Sequence, residues 1–210
     1  MEKFSDKDRK QWDTIFSSIP PEWETQWKTL NPMPSMIACA SFLKKEGVKT
    51  VLDLGCGPGI WSIFLTKSGF SVKGTDFSDP VIRYANKWAL EENLNIDFAV
   101  APITKRVFES TIFDAVVASL ILDNVSRDEM KEVIRSLNLL LRPSGCVFAL
   151  FNPLMTPEIE AAMRTGNNPT KDITSISYTD EELKSAFPDF ELIDFKKFDR
   201  GERALFLKRK

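Results

Sequence analysis

Val51-Leu52-Asp53-Leu54-Gly55-Cys56-Gly57-Pro58-Gly59 is a short apolar run that ends in three glycines at alternate positions. The apolar part, from Thr50 to Leu54, is too short for a helix and suits a buried strand. Glycines let a backbone approach a ligand where a Cβ would clash. Ile60 to Ser68 reads as a helix, and Gly69 ends it. A strand, a glycine turn and a helix in that order set free N–H groups and the positive end of a helix dipole beside the turn. That is a seat for a nucleotide-type ligand.

Working outward, the same alternation repeats. Phe70 to Thr75 is a second strand. Ser78 or Asp79 caps a helix with Pro80 in its first turn, running to about Glu92. Ile96 to Val100 is a third strand, and Phe113 to Ala118 a fourth, continuous as a strand covered on both faces should be. Ser126 to Leu141 carries Met130, Val133, Ile134, Leu137 and Leu141 at helical spacing. Arg142-Pro143-Ser144-Gly145 reads as a turn before a fifth strand, Cys146 to Phe151. Such alternation gives a parallel sheet with helices on both faces. The style then changes. Asn152 to Ser177 is irregular and polar, with a short helix expected after Pro157. Thr179 and Glu182 form a capping box for a helix to Phe187. Phe190 to Phe198 and Arg203 to Lys208 read as an antiparallel hairpin around Asp199-Arg200-Gly201-Glu202. Upstream, Pro20-Pro21, Pro32 and Pro34 forbid one continuous helix. Short helices are expected over Asp6 to Ser17, Glu22 to Leu30 and Ser35 to Glu46.

The bulk composition narrows the classes. The chain has 210 residues, 43% hydrophobic and 28% charged, with net charge -2. That balance opposes a main role in gripping nucleic-acid phosphates. No run is long and apolar enough to span a membrane. The three cysteines are far apart and form no CxxC pair, so no metal site is expected. An odd cysteine count without a secretory signal points to the cytoplasm. There is no histidine, so acid–base chemistry falls to Asp, Glu, Lys, Tyr, Cys or water.

The glycine spacing separates cofactors. A dinucleotide fingerprint needs its third glycine at position 60, which is Ile60; the third glycine here is Gly59. The next strand ends Val72-Lys73-Gly74-Thr75-Asp76, and a carboxylate there can accept hydrogen bonds from both ribose hydroxyls.

With these features the sequence resembles the class I S-adenosylmethionine (SAM)-dependent methyltransferases over roughly Val48 to Phe151. Val51 to Gly59 looks like the family's first motif and Asp76 like its ribose-binding acid. Phe113 to Ser119 looks like the fourth-strand motif, and Leu141 to Gly145 like the turn before strand five. The resemblance implies an α/β, Rossmann-like fold with a seven-stranded, mostly parallel sheet, a C-terminal antiparallel hairpin and helices on both faces. It implies SAM as cofactor, S-adenosylhomocysteine (SAH) as product, and cofactor contacts at Asp53, Gly55, Cys56, Gly57, Gly59, Asp76, Phe77, Ile103 and Ser119. The sequence departs from the family after strand three. Ala99-Val100-Ala101-Pro102-Ile103 offers no carboxylate for the adenine amino group.

Around this core, residues 1–47 are expected to be a helical cap, and 48–210 the SAM-binding domain with an insertion at about 152–178. Trp12-Asp13 followed by Pro21-Glu22-Trp23 resembles the thiopurine and tellurite methyltransferase group, in which such a segment closes over the site. The alternative is that these tryptophans pack a helix onto the sheet. Asp123 after strand four can orient a nucleophile or take its proton, or can cap a helix or sit in a solvent-facing loop. Trp12, Trp23, Asn124 and Tyr178 are the candidate acceptor contacts. The expected acceptor is a small molecule, on a monomer or homodimer, without nucleic-acid or membrane partners. The rival readings are a protein- or RNA-directed methyltransferase and a non-catalytic SAM- or partner-binding protein.

Overall fold

A computed structural model describes residues 6–17, 19–103, 112–154, 156 and 176–210. Its centre is a seven-stranded sheet in the order β3-β2-β1-β4-β5-β7-β6. The strands are β1 (Thr50–Leu54), β2 (Ser71–Asp76), β3 (Asp97–Val100), β4 (Phe113–Ser119), β5 (Leu141–Phe151), β6 (Phe190–Lys197) and β7 (Arg203–Arg209). β1 to β5 pair in parallel, and β7 runs antiparallel to both β5 and β6. The expected fold class is the one found.

Strand residues alternate between two cores, as the pleat requires. Leu52, Val116, Ala118, Val147, Ala149, Leu205 and Leu207 face one side. There they pack on α6 (Arg127–Leu140) and α7 (Asp180–Ser185). Val51, Ala115, Val117, Phe148 and Phe206 face the other. That side is covered by α3 (Pro34–Lys45), α4 (Ile60–Lys67) and α5 (Asp79–Glu91). Thr179 and Glu182 make the expected capping box, and Ser126 with Glu129 makes a second at α6.

Two boundaries differ from expectation. Leu141 ends no helix: it is extended, buried and paired with Phe113, so β5 begins where a turn was expected. The Pro143-Ser144-Gly145 irregularity is absorbed as a register shift, with Ser144 at positive φ. The helix expected after Pro157 lies outside the described residues. Among those described, no helix is long and apolar enough to cross a membrane.

The chain leaves β1 for β2 and β3 on one side, then returns through β4 on the other. The crevice at the carboxyl ends of β1 and β4 is where a sheet of this kind takes a ligand.

Candidate active site

The glycine loop is built on positive φ. Gly55, Gly57 and Gly59 lie at φ 71°, 53° and 90°. The N–H groups of Gly55 and Cys56 both donate to the Thr75 carbonyl, at 2.8 and 2.9 Å, which ties the loop to the end of β2. A Cβ on Gly55 would sit 2.6 Å from Cγ1 of Ile121, so the loop after β4 presses directly on the loop after β1. Leu120, beside that contact, holds φ 55°. This costs a non-glycine residue about 1 kcal/mol or more, and such strain gathers at functional sites.

Asp76 ends β2 and is only 6% exposed. Its carboxylate accepts from the N–H groups of Gly57 and Ser78, each at 3.0 Å. Burial raises its pKa to about 6 against the pull of those N–H groups. Asp53, 1% exposed at the end of β1, accepts from the Ser62 hydroxyl at 2.6 Å through one oxygen. The other oxygen is buried without a partner. Burial dominates and raises this pKa to about 7, with Asp76 adding to the shift. Cys56 packs with Val81 and Ile82 under Phe16 and Phe98, and burial pushes its thiol well above its ordinary range. Ile103 lies in the α6-side core, while Phe77 and Ser119 are half-buried at the carboxyl ends of β2 and β4.

A second polar centre sits at the ends of β4 and β5. Asp123 is 1% exposed. One of its oxygens accepts from the backbone N–H of Asn152 at 2.8 Å and from Asn152 Nδ2 at 3.0 Å; the other has no partner. Burial raises its pKa. Arg203, 3% exposed at the start of β7, donates to the Asn152 carbonyl at 2.8 and 3.1 Å and to the Tyr178 carbonyl. Tyr178 is buried against Phe151, its hydroxyl unpartnered and its ring under the Arg127 guanidinium. Asn124 donates to the Leu120 carbonyl at 2.6 Å and so buttresses the strained residue.

The N-terminal helices α1 (Asp6–Ser17) and α2 (Pro21–Lys28) lie on α5. Trp12 stacks on Phe16 in α1. Trp23 meets Trp27, which packs edge-on to Tyr84, which in turn meets Trp88.

Residues 51–145 match the family described as methyltransferase domain. The chain carries a class I SAM-dependent methyltransferase domain. It is 27% identical over 145 residues to a probable SAM-dependent methyltransferase, TehB, of Haemophilus influenzae, covering 69% of this chain and 47% of that protein. It is 31% identical over 149 residues to a ubiquinone biosynthesis O-methyltransferase of Ralstonia nicotianae, covering 70% and 58%. The chain thus spans about half the length of the curated relatives it matches. Among solved structures, the Burkholderia thailandensis 1,6-didemethyltoxoflavin-N1-methyltransferase shares the fold. Its TM-score is 0.71 at 16% identity, over 97% of this chain and 89% of that one.

The TehB relative is named as SAM-dependent, and the groups at the ends of β1 and β2 suit that cofactor. The cradle is open at Gly57, where a Cβ would meet nothing within 4 Å. Asp53 presents an unpartnered carboxylate oxygen, suited to a cationic ammonium. Asp76 closes the far side. Sequence reasoning found these groups because they lie in one contiguous motif and at the end of the next strand. It missed Ser62, Asn152 and Arg203. Arg203 heads an ordinary-looking strand in the sequence, and only the pairing of β7 with β5 brings it to Asn152. Among the described residues, no group of three or more His, Cys, Asp or Glu could hold a metal ion.

Proposed function

We propose that the protein transfers the methyl group of SAM to a small molecule. The observation that carries the proposal is the positive-φ glycine loop from Gly55 to Gly59, tied to the end of β2 and flanked by the buried acids Asp53 and Asp76. When bound, SAM supplies an already activated methyl on a sulfonium, so displacement needs alignment and exclusion of water more than a strong base. Asp76 would accept from the ribose hydroxyls, and the unpartnered oxygen of Asp53 would face the ammonium group. Backbone near Gly55 and Gly57, with Cys56 and Gly59 shaping the turn, would hold the methionine part. Phe77, Ile103 and Ser119 would line the adenosine and methionine walls. Asp123 is the proposed base or orienting group, with Asn124 and Tyr178 beside it. Residues 1–47 would cover the site, bringing Trp12 and Trp23 to its rim.

A cavity of about 430 Å³ lies between the α2–α3 connection and the tip of the β6–β7 hairpin, lined by Leu30, Met33 and Phe198 with Asn31 and Arg200 and apart from Asp123 and Tyr178. That tip overhangs the end of β5, since a Cβ on Gly201 would meet Pro153 at 3.1 Å. The O-methyltransferase and toxoflavin methyltransferase relatives, whose names point to small acceptors, support the small-molecule reading. Three free, buried cysteines support a cytoplasmic setting. The test is calorimetry with SAH, followed by a panel of thiols, amines and phenols with SAH release as the readout. Saturable SAH binding and turnover of a panel member are expected. Absence of SAH binding in folded protein would sink the proposal.

A further inference from the structure

Ala101-Pro102-Ile103, directly after β3, offers the adenosine half of a cofactor no carboxylate. The structure offers one from elsewhere. Helix α1 docks on α5, and Phe16 packs against the cluster of Cys56, Val81 and Ile82 beneath the glycine loop. This seating turns Asp13 inward, while its neighbour Thr14 stays exposed. Oδ1 of Asp13 is buried and has no hydrogen-bond partner. Its charge reaches Asp76, opposing the ionisation of that carboxyl.

Two carboxylates that face each other without a cation or donor between them are unfavourable. A buried acceptor left unpaired is unfavourable. Asp76 is supplied by the N–H groups of Gly57 and Ser78. Oδ1 of Asp13 has no such supply, and what it lacks is a donor. The adenosine half of SAM carries three such groups, two ribose hydroxyls and an amino group, and would lie beside Asp76. We infer that Asp13 is a further cofactor-binding residue: from α1 it accepts a hydrogen bond from the adenosine half of SAM, opposite Asp76, and so couples docking of α1 to cofactor binding. The inference rests on SAM occupying the crevice proposed above. It adds a residue that lies outside residues 51–145, on a helix that precedes the matched domain.

The test is calorimetry of SAH with the full chain and with Asp13→Asn and Thr14→Ala, the second an exposed control on the same helix. Amide hydrogen exchange over residues 6–17 is followed with and without SAH. Asp13→Asn should weaken SAH by about tenfold, the size of one hydrogen bond to a charged group. Thr14→Ala should bind within a factor of about two, the scale of a neutral surface change. SAH should slow exchange in α1 of the wild type and not of Asp13→Asn. Repeating the titrations with the N6,N6-dimethyl, 2′-deoxy and 3′-deoxy analogues of SAH locates the donor, because the analogue lacking it should bind both proteins alike. If wild type binds SAH and Asp13→Asn binds it equally well, the inference is overturned while the cofactor assignment stands. If wild type does not bind SAH at all, both fall.

Discussion

The two polar centres at the carboxyl edge of the sheet are built in opposite ways. The cofactor side uses backbone. Gly55, Gly57, Cys56 and Ser78 offer N–H groups or close approach, and the two acids, Asp53 and Asp76, end neighbouring strands. The proposed acceptor side uses side chains from distant segments. Asp123, Asn152 and Arg203 meet only because β4, β5 and β7 are adjacent. The first construction depends on the spacing of its loop and on the two acids at the strand ends. The second tolerates changes in spacing but depends on each side chain.

The largest effect should follow from attacking the backbone construction. Gly55→Ala combines a φ of 71° with a Cβ 2.6 Å from the branched Ile121 side chain. A loss of stability of about 1–3 kcal/mol is expected. Titration should also show SAH affinity reduced to the limit of detection, because the two loops must separate. Normal binding by this variant would mean that the Gly55–Ile121 contact does not shape the site.

The acceptor side should break differently. Arg203→Met strips donors from the Asn152 and Tyr178 carbonyls. A cost of about 2–3 kcal/mol is expected from the lost charged hydrogen bonds, read as a lower denaturation midpoint. SAH affinity should hardly change. A variant that loses stability and SAH binding together would show the two centres to be one.

Asp76→Ala probes the cofactor side through a side chain. Loss of its charged hydrogen bonds, worth about 1.5–3 kcal/mol, should weaken SAM by more than about tenfold. Unchanged affinity would remove Asp76 from the site.

The most diagnostic effect concerns pH. Burial raises the folded-state pKa of Asp53 to about 7. A raised carboxylate pKa makes its contribution to stability fullest below the unfolded value near 4 and loses it as pH rises through the folded value. The unliganded protein should therefore lose stability between about pH 4 and 7, by up to a few kcal/mol from this group. Asp53→Asn should flatten that slope in thermal scans across pH. A cationic ligand favours the ionised form, so SAM binding near pH 6 should release protons, detectable by calorimetry in buffers of different ionisation enthalpy. Identical slopes in wild type and Asp53→Asn would refute the role given to burial here.

The contrast also explains what could be read from sequence. Val51 to Gly59 and Asp76 were legible because β1 pairs with β2 and fixed spacing places both at one edge. The strand at Leu141 was misplaced because its apolar residue fits a helical period equally well. Its pairing with Phe113 is a tertiary fact. Asp123 stood out as an acid after β4, but its partners did not. Asn152 opens an irregular stretch, and Arg203 lies 80 residues beyond Asp123 in the chain numbering.

The central claim is that the glycine crevice is a SAM site. Titration of SAH into the wild-type chain at neutral pH, beside Gly55→Ala, addresses it most directly. Saturable one-to-one binding that the variant loses is the expected result. A folded wild-type protein that gives no binding heat even with millimolar SAH would contradict it.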